Sequence, residues 1–190
     1  KLCADKGVRV LDHAVNLGIG GSVQTGYRYA YDNGYETAVQ IDGDGQHDPA
    51  YLDMMYDTLV STGADMVIGS RFIDKEGYQS TGLRRIGISF FTFLIRTLTG
   101  HVITDPTSGL RMAGSRLIRE FASDYPQDYP EPESVVRAVL KGYKVVEVPV
   151  KMRERSGGVS SIHARASVYY MIKVTMAVIL ERMRKNEHKA

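Results

Sequence analysis

The sequence lacks most of the features that would assign it to a specialised class of protein. It has a single cysteine, Cys3, so an internal disulfide framework is excluded. Its formal net charge is only +2, which gives no indication of nucleic-acid binding. No secretory signal, internal repeat or low-complexity segment is visible. With 190 residues, 43% of them hydrophobic and 24% charged, the chain suits one globular domain with an adequate core.

Long hydrophobic runs are also missing. The apolar segments 86–95 and 168–180 are shorter than the roughly 20 residues needed to span a bilayer. Basic residues flank both segments, with Arg84 and Arg85 before the first and Arg96 after it. Such helices can lie in a membrane interface, but ordinary core helices or a partner-binding face fit the pattern too.

Hydrophobic periodicity and turn residues predict the order β-α-β-α-β, followed by a less regular half, which indicates an α/β sheet packed with helices. Strands are predicted at 8–11, 37–41, 65–70, 110–113 and 145–150. Helices are predicted at 23–33, 49–62, 83–98, 133–140 and 166–184.

The most informative segment runs from Thr37 to Pro49, where a β-prone stretch ends in Asp42 and Asp44. Ligands bind at the carboxyl ends of strands in open α/β sheets. Two carboxylates so close repel each other unless a cation or hydrogen-bond donors lie between them. Oxygen ligands suit Mg²⁺ or Mn²⁺, and these ions usually act together with substrate phosphates. We therefore expect a divalent cation here that holds a phosphorylated substrate.

Other structures present carboxylates at a similar spacing. An EF-hand loop starting at Asp42 would place His47 and Asp53 where it needs glycine and a bidentate glutamate, which excludes it. A short calcium turn ending at Asp48 fits the spacing, but Asp48 is better used as a helix N-cap. An aspartyl phosphohydrolase wants Thr or Val where Gln46 stands. Two solvated turn carboxylates also remain an alternative.

Three further segments can contact a phosphate, although each is a weak signal when taken alone. The glycine-rich loop 16–22 leads into a helix, where backbone N–H groups can bind phosphate or two backbones can pack closely. The segment 104–111 combines a rigid turn with a small hydroxyl residue, Ser108, and is otherwise a plain loop. Arg153 and Arg155 lie in a basic loop that can close on a diphosphate or stay solvated.

Taken together and in order, these segments resemble the family 2 glycosyltransferases with the GT-A fold, and most closely the dolichyl- or polyprenyl-phosphate mannose synthase-like branch. The matching blocks are 16–21 with Gly26, 40–49, 69–72, 105–111 and 133–150. The resemblance implies a Rossmann-like, mostly parallel sheet flanked by helices, forming a partial GT-A domain over 1–165. An amphipathic helix with a basic tail would follow over 166–190. The strands that hold the nucleotide base and ribose in such enzymes are missing, so we expect an N-terminally truncated domain.

The resemblance implies metal-dependent, inverting transfer of a sugar from a nucleotide-sugar donor, with Mg²⁺ or Mn²⁺ as cofactor. A polyprenyl phosphate is the favoured acceptor and a cell-surface polysaccharide the second choice, at the cytoplasmic face of the membrane. A membrane-protein partner or a second copy of the chain would also fit. The alternatives are a non-catalytic module that binds a nucleotide-sugar or a partner, and a metal-dependent phosphohydrolase.

The resemblance also implies roles for individual residues. Asp42, Asp44 and Gln46 would be the metal ligands, with Asp42 also contacting the donor and Asp44 essential for catalysis. Glu133, or Glu131 beside it, is the candidate base if the acceptor is a hydroxyl group. The other expected substrate-binding residues are Arg71, Arg84, Arg85, Ser108, Arg153 and Arg155.

Overall fold

A computed structural model describes residues 5–77, 82–128 and 130–153, together with isolated helical positions between 172 and 183. Helices and strands alternate along most of this length, which confirms the α/β class. The elements are α1 (Gly18–Asp32), β1 (Thr37–Gln40), a 3₁₀ turn (Pro49–Tyr51), α2 (Leu52–Thr62), β2 (Met66–Ser70), α3 (Gly82–Thr99), β3 (Arg111–Gly114), α4 (Ser115–Ser123), α5 (Pro130–Leu140) and β4 (Val145–Pro149).

The described strands form one sheet in the order β1-β3-β2-β4. β3 pairs antiparallel with β1 and with β2, whereas β2 pairs parallel with β4. β1, β2 and β4 therefore share one direction, and β3 alone opposes them. By its pairings the sheet is mixed rather than mostly parallel, because the reversed strand lies between β1 and β2. This arrangement places the ends of β1, β2 and β4 and the start of β3 at the same edge.

Apolar side chains cover both faces of this sheet. β2 is buried along its whole length, and its alternate side chains enter two separate cores. Met66 and Ile68 pack with side chains of α1, α3, α4 and α5, whereas Val67 packs with Met55 and Leu59 of α2. Each such buried side chain contributes about 1.5–3 kcal/mol relative to an exposed one. The sheet is thus a rigid support for the loops at its edge.

The structure confirms the predicted ends of the helical segment 49–62, which consists of the 3₁₀ turn followed by α2. The Asp48 carboxylate accepts a hydrogen bond from the Ala50 N–H at 3.1 Å, as an N-cap should. Gly63 ends the helix in the left-handed conformation, with φ of 63°. Met55 and Leu59 form its buried face. The loop before Asp48 is therefore fixed at one end by β1 and at the other by a capped helix.

Two predictions near the start of the chain are wrong. Residues 8–11 form no strand: Val8 and Val10 are 55% and 51% exposed, and no described strand lies beside them to complete a ladder. The glycine-rich segment is helical from Gly18 onward. A Cβ at Gly20 would lie 2.4 Å from the Pro126 carbonyl oxygen, so glycine allows two backbones to pack closely here.

The predicted loop over 153–161 lies outside the described residues apart from Arg153, and the domain boundary at 165/166 lies outside them entirely. Of the helix predicted over 166–184, helical structure is described only at 172–173, 175–176, 179–180 and 183. Among the residues that the structure describes, none of the helices combines the length and the apolar character needed to cross a membrane.

Candidate active site

Four segments that are far apart in the sequence meet at the edge of the sheet where β1, β2 and β4 end. The loop 42–48 follows β1, Arg71 follows β2, and Arg153 lies beyond the end of β4. The turn 105–110 reaches the same edge because it precedes the reversed strand β3. Hydrogen bonds between these segments, described below, define the candidate site.

The first carboxylate of the loop, Asp42, is in contact with protein on two sides. Its Oδ2 lies 3.2 Å from His47 Nε2, and the Asp42 side chain is 49% exposed whereas that of His47 is 3% exposed. A Cβ built at Gly109 would lie 2.3 Å from Asp42 Oδ2, so this position has room only for glycine. Asp42 is therefore anchored by its neighbours while its carboxylate still reaches solvent.

Asp44 and Gln46 are organised by contacts of a different kind. Asp44 Oδ1 accepts a hydrogen bond from the Gln46 backbone N–H at 3.0 Å, which forms an Asx turn. The Gln46 side chain donates from Nε2 to the Arg153 carbonyl oxygen at 3.2 Å, and the Arg153 N–H donates to the Gln46 carbonyl oxygen at 3.0 Å. Because Nε2 is the donor, Oε1 is the amide atom suited to a cation.

The oxygen atoms of this loop would suit a cation whose remaining coordination positions are filled by water and substrate. Within the described ranges, no three His, Cys, Asp or Glu side chains are arranged as a preformed metal cluster. Mg²⁺ usually takes one or two protein carboxylates and fills its octahedral shell with water and substrate phosphates. Asp42, Asp44 and the Gln46 amide oxygen offer such a partial set within five residues.

Arg71, which is predicted to bind a phosphate, is buried and forms an ion pair within the protein. Its Nε and Nη2 donate to the two carboxylate oxygens of Asp105, each at 2.7 Å, and Nη2 also donates to Thr107 Oγ1 at 3.0 Å. Arg71 is 4% exposed and Asp105 is fully buried. In this structure the guanidinium fastens the end of β2 to the turn 105–110, and a contact with phosphate stays a prediction.

Ser108 also has a structural role rather than the predicted substrate contact. It is fully buried, and its Oγ donates to the Gly69 carbonyl oxygen at 2.6 Å. The same Oγ accepts a hydrogen bond from the Leu110 N–H at 3.3 Å. These bonds connect the turn to β2 beside the Arg71–Asp105 ion pair, so the turn is a scaffold for the site.

Glu147 lies in the matching block 133–150 but was assigned no role, although it completes this scaffold. Its carboxylate accepts hydrogen bonds from the backbone N–H groups of Thr104 and Asp105, at 2.7 and 2.8 Å. Burial raises the pKa of Glu147, and the two N–H groups oppose that shift by stabilising the charged form. The local signal for its structural role is an acidic residue within the otherwise apolar strand Val145–Pro149.

Arg153 pairs with Asp48, whose carboxylate caps the 3₁₀ turn. The hydrogen bond from the Ala50 backbone N–H lowers the pKa of Asp48, and Arg153 lowers it further by a smaller amount. The predicted clamp on the donor therefore begins at a residue that already contacts the loop 42–48. Arg155 and the side chain of Arg84 lie outside the described part of the chain, so their roles stay predictions.

Glu133 lies in the first turn of α5 with its side chain half-buried. Its neighbour Ser134 accepts a hydrogen bond from Arg111 Nη1 at 2.6 Å, and Arg111 Nη2 donates to the Pro106 carbonyl oxygen at 2.8 Å. These bonds connect the start of α5 to the turn 105–110. The role of Glu133 as a base stays a prediction.

A pocket of about 460 Å³ adjoins this scaffold on the side of α3. Arg85, Ser89, Thr92 and Arg96 line it from one face of α3, at helical spacings of three and four residues, and Lys75 lines it from the preceding loop. Within the described residues, no carboxylate forms an ion pair with any of these three cations. The pocket therefore has an excess of positive charge that suits an anionic ligand.

Comparisons with known proteins agree with this architecture. The structure superposes on the crystal structure of glucosyl-3-phosphoglycerate synthase from Mycobacterium tuberculosis with a TM-score of 0.61 and 17% sequence identity. The match covers 96% of this chain and 62% of that protein. That protein is a GT-A glycosyltransferase, so the fold of this chain is GT-A. Residues 1–122 match the family described as glycosyl transferase family 2. The chain therefore belongs to glycosyltransferase family 2.

Two curated relatives are 30% identical to the chain. One is the UDP-N-acetylglucosamine–dolichyl-phosphate N-acetylglucosaminyltransferase of Methanococcus voltae, which matches over 76% of this chain and 59% of its own length. The other is the polyprenol monophosphomannose synthase of Mycolicibacterium smegmatis, which matches over 88% of this chain and 64% of its own length. The chain thus spans about three-fifths of the length of these relatives.

Proposed function

We propose that this chain belongs to an enzyme that transfers a sugar from a nucleotide-sugar donor to a polyprenyl phosphate, with Mg²⁺ or Mn²⁺ as cofactor. The observation that carries the proposal is the cationic pocket of α3, which adjoins the scaffold supporting the loop 42–46. A cationic pocket and an oxygen-rich loop that contact the same scaffold suit an enzyme that brings an acceptor phosphate to a metal-bound diphosphate. The names of the two curated relatives refer to dolichyl phosphate and polyprenol, which supports this class of acceptor.

On the donor side, Asp42, Asp44 and Gln46 would hold the cation through oxygen atoms. A bound divalent cation stabilises the negative charge that develops on the leaving nucleoside diphosphate. The contact of Gln46 with Arg153 keeps the loop against the segment that follows β4. These residues therefore orient the donor diphosphate without needing to exchange a proton.

On the acceptor side, Lys75, Arg85 and Arg96 would supply the positive charge that attracts a phosphate to the pocket. The planar guanidinium groups of arginine match the geometry of phosphate oxygens. A phosphate monoester has a second pKa near 6, so at neutral pH it is already a charged nucleophile. Transfer to such an acceptor therefore requires little help from a general base. A hydroxyl acceptor on a glycan would require one, and Glu133 would then be the candidate.

The exposed side of α3 fits contact with a membrane surface. Ile86 and Phe93 are 65% and 67% exposed, and Phe90 is 36% exposed. Arg85 and Arg96 flank these apolar side chains, as expected for a helix that lies in the interface between headgroups and acyl chains. In this position the isoprenoid chain of the acceptor would remain in the membrane while its phosphate enters the pocket. The proposed location is the cytoplasmic face of the membrane.

The proposal is tested by incubating the full-length protein with labelled UDP- or GDP-sugars, Mn²⁺ and undecaprenyl or dolichyl phosphate. We expect label in the lipid extract, its loss on addition of EDTA, and its return with excess Mn²⁺. Metal-dependent donor binding without transfer to any lipid or glycan would instead favour a binding module. Release of phosphate from simple phosphomonoesters without acceptor would favour a phosphohydrolase.

Arg85→Gln and Arg96→Gln are expected to raise the KM for polyprenyl phosphate about tenfold or more, because each removes a charge-assisted hydrogen bond to the phosphate. The KM for the nucleotide-sugar should stay within about twofold of wild type, because the donor binds elsewhere. Arg28→Gln on α1, an exposed arginine away from the pocket lining, is the matched control. Equal effects on both KM values would contradict an acceptor pocket at α3.

A further inference from the structure

We propose that His47 and Gly109 form a seat for the Asp42 carboxylate, and that His47 is a positioning residue for this metal ligand. The inference rests on the proposed function, because it assigns Asp42 to the cation. It concerns two residues to which no motif gave a role. Two independent contacts carry it, one from a buried imidazole and one from a bare Cα atom.

The hydrogen-bond partners of His47 determine which ring nitrogen carries the proton. Nε2 lies 3.2 Å from Asp42 Oδ2. Nδ1 is buried and has no hydrogen-bond partner within the described structure. A proton on Nδ1 would leave a buried donor unsatisfied, which costs about 1–3 kcal/mol. The geometry therefore favours a hydrogen on Nε2, which donates to Asp42.

Gly109 closes the other side of the seat. A Cβ at this position would lie 2.3 Å from Asp42 Oδ2, 2.8 Å from Cγ and 2.9 Å from Oδ1. All three distances are shorter than real Cβ contacts, so the carboxylate lies directly against the glycine backbone. Gly109 belongs to the turn that Arg71, Ser108 and Glu147 hold in place, so this side of the seat is rigid.

The two contacts together limit the rotation of the Asp42 carboxylate. Hydrogen bonds from neighbouring residues commonly orient metal ligands, and their loss costs about 10- to 100-fold in metal affinity. Without the N–H of His47, the carboxylate would lose one direction of restraint. A methyl group at position 109 would overlap the Asp42 carboxylate and displace it. Either change is expected to weaken cation binding without removing a ligand.

The proposal is tested first on the protein without metal. Nitrogen-15 NMR of the histidine rings should show a hydrogen on Nε2 of His47. The Asp42→Ala variant should change the shift of that nitrogen more than Asp57→Ala, an exposed carboxylate on α2. The absence of hydrogen on Nε2, or no response to Asp42→Ala, would overturn the proposed contact.

The second test compares the Mn²⁺ affinity of matched variants, measured by electron paramagnetic resonance. His47→Leu removes the donor and is expected to weaken Mn²⁺ binding about tenfold or more. His47→Gln carries an amide N–H that reaches toward Asp42 as Nε2 does, and it should restore binding to within about threefold of wild type. His13→Leu is the control, because His13 is exposed and contacts Thr25 outside the site.

Gly109→Ala gives an independent variant in case His47→Leu does not fold. It should weaken Mn²⁺ binding to a similar extent, whereas Gly26→Ala, where a Cβ has open space, should not. Circular dichroism and thermal unfolding would establish that each variant is folded. If wild type binds Mn²⁺ and the folded His47→Leu and Gly109→Ala variants bind it equally well, the roles proposed for His47 and Gly109 are wrong while the metal assignment stands. If wild type binds no Mn²⁺ with or without nucleotide, the metal assignment fails as well.

Discussion

Replacing Asp44 with alanine is expected to lower metal-dependent sugar transfer about 10²- to 10³-fold, because it removes an anionic ligand that holds the cation against the donor diphosphate. The measurement is kcat/KM for labelled lipid product at saturating Mn²⁺. Mn²⁺ affinity should fall in the same variant. Undiminished transfer in the folded variant would contradict the role of Asp44 in the metal site.

Asp44 also has a structural contact that this experiment must separate from ligand binding. Its Oδ1 accepts the Gln46 N–H at 3.0 Å, so alanine removes both the charge and the turn. Asp44→Asn keeps an Oδ1 acceptor for that N–H but removes the negative charge. We expect this variant to be nearly as inactive as Asp44→Ala. Asp57→Ala, an exposed carboxylate on α2, is the control and should keep wild-type activity.

Arg71→Ala is expected to lower the free energy of unfolding by about 3–5 kcal/mol, because it leaves the Asp105 carboxylate buried without its cation. Asp105 is fully buried and receives two hydrogen bonds of 2.7 Å from the Arg71 guanidinium. The measurement is urea unfolding followed by circular dichroism. A loss below about 1 kcal/mol would show that the pair contributes no more than a surface ion pair does.

Arg116→Ala is the matched control for this prediction. Arg116 pairs with Asp65 at 3.3 Å, but its side chain is 72% exposed. Asp65 keeps a hydrogen bond from the Lys144 N–H at 2.9 Å when Arg116 is removed. We therefore expect Arg116→Ala to cost at most about 1 kcal/mol, as is usual for exposed ion pairs. The contrast between the two arginines isolates the effect of burial.

The sequence predicted those elements whose signals are local. Asp48 and Gly63 mark the two ends of the helical segment containing α2, and apolar residues spaced three and four apart, Leu52, Met55 and Leu59, mark its inward face. The failures concern segments that depend on distant partners. Residues 8–11 have strand-forming side chains but no described strand to pair with. α4 begins directly after β3 at Ser115 without a side-chain cap, so no start signal distinguished it from the turn before it.

The candidate site shows the same division between local and distant information. The loop 42–46 was recognisable because its carboxylates and amide lie within five residues of one another. By contrast, Arg71 finds Asp105 34 residues away in the sequence, and the contact exists only because β3 reverses direction. An arginine and a serine near a phosphate-binding motif are typical of ligand contacts. Only the three-dimensional structure shows that the side chains of Arg71 and Ser108 form hydrogen bonds within the scaffold.

The position of Glu147 in the chain has a consequence for biosynthesis. The backbone N–H groups of Thr104 and Asp105 have the Glu147 carboxylate as their hydrogen-bond acceptor. Ribosomes release a protein from its N-terminus, so residues 42 to 110 emerge well before that carboxylate does. A nascent chain still short of residue 147 therefore contains both Arg71 and Asp105 but lacks the carboxylate that accepts the N–H groups at the start of the turn. The scaffold is complete only when β4 docks beside β2.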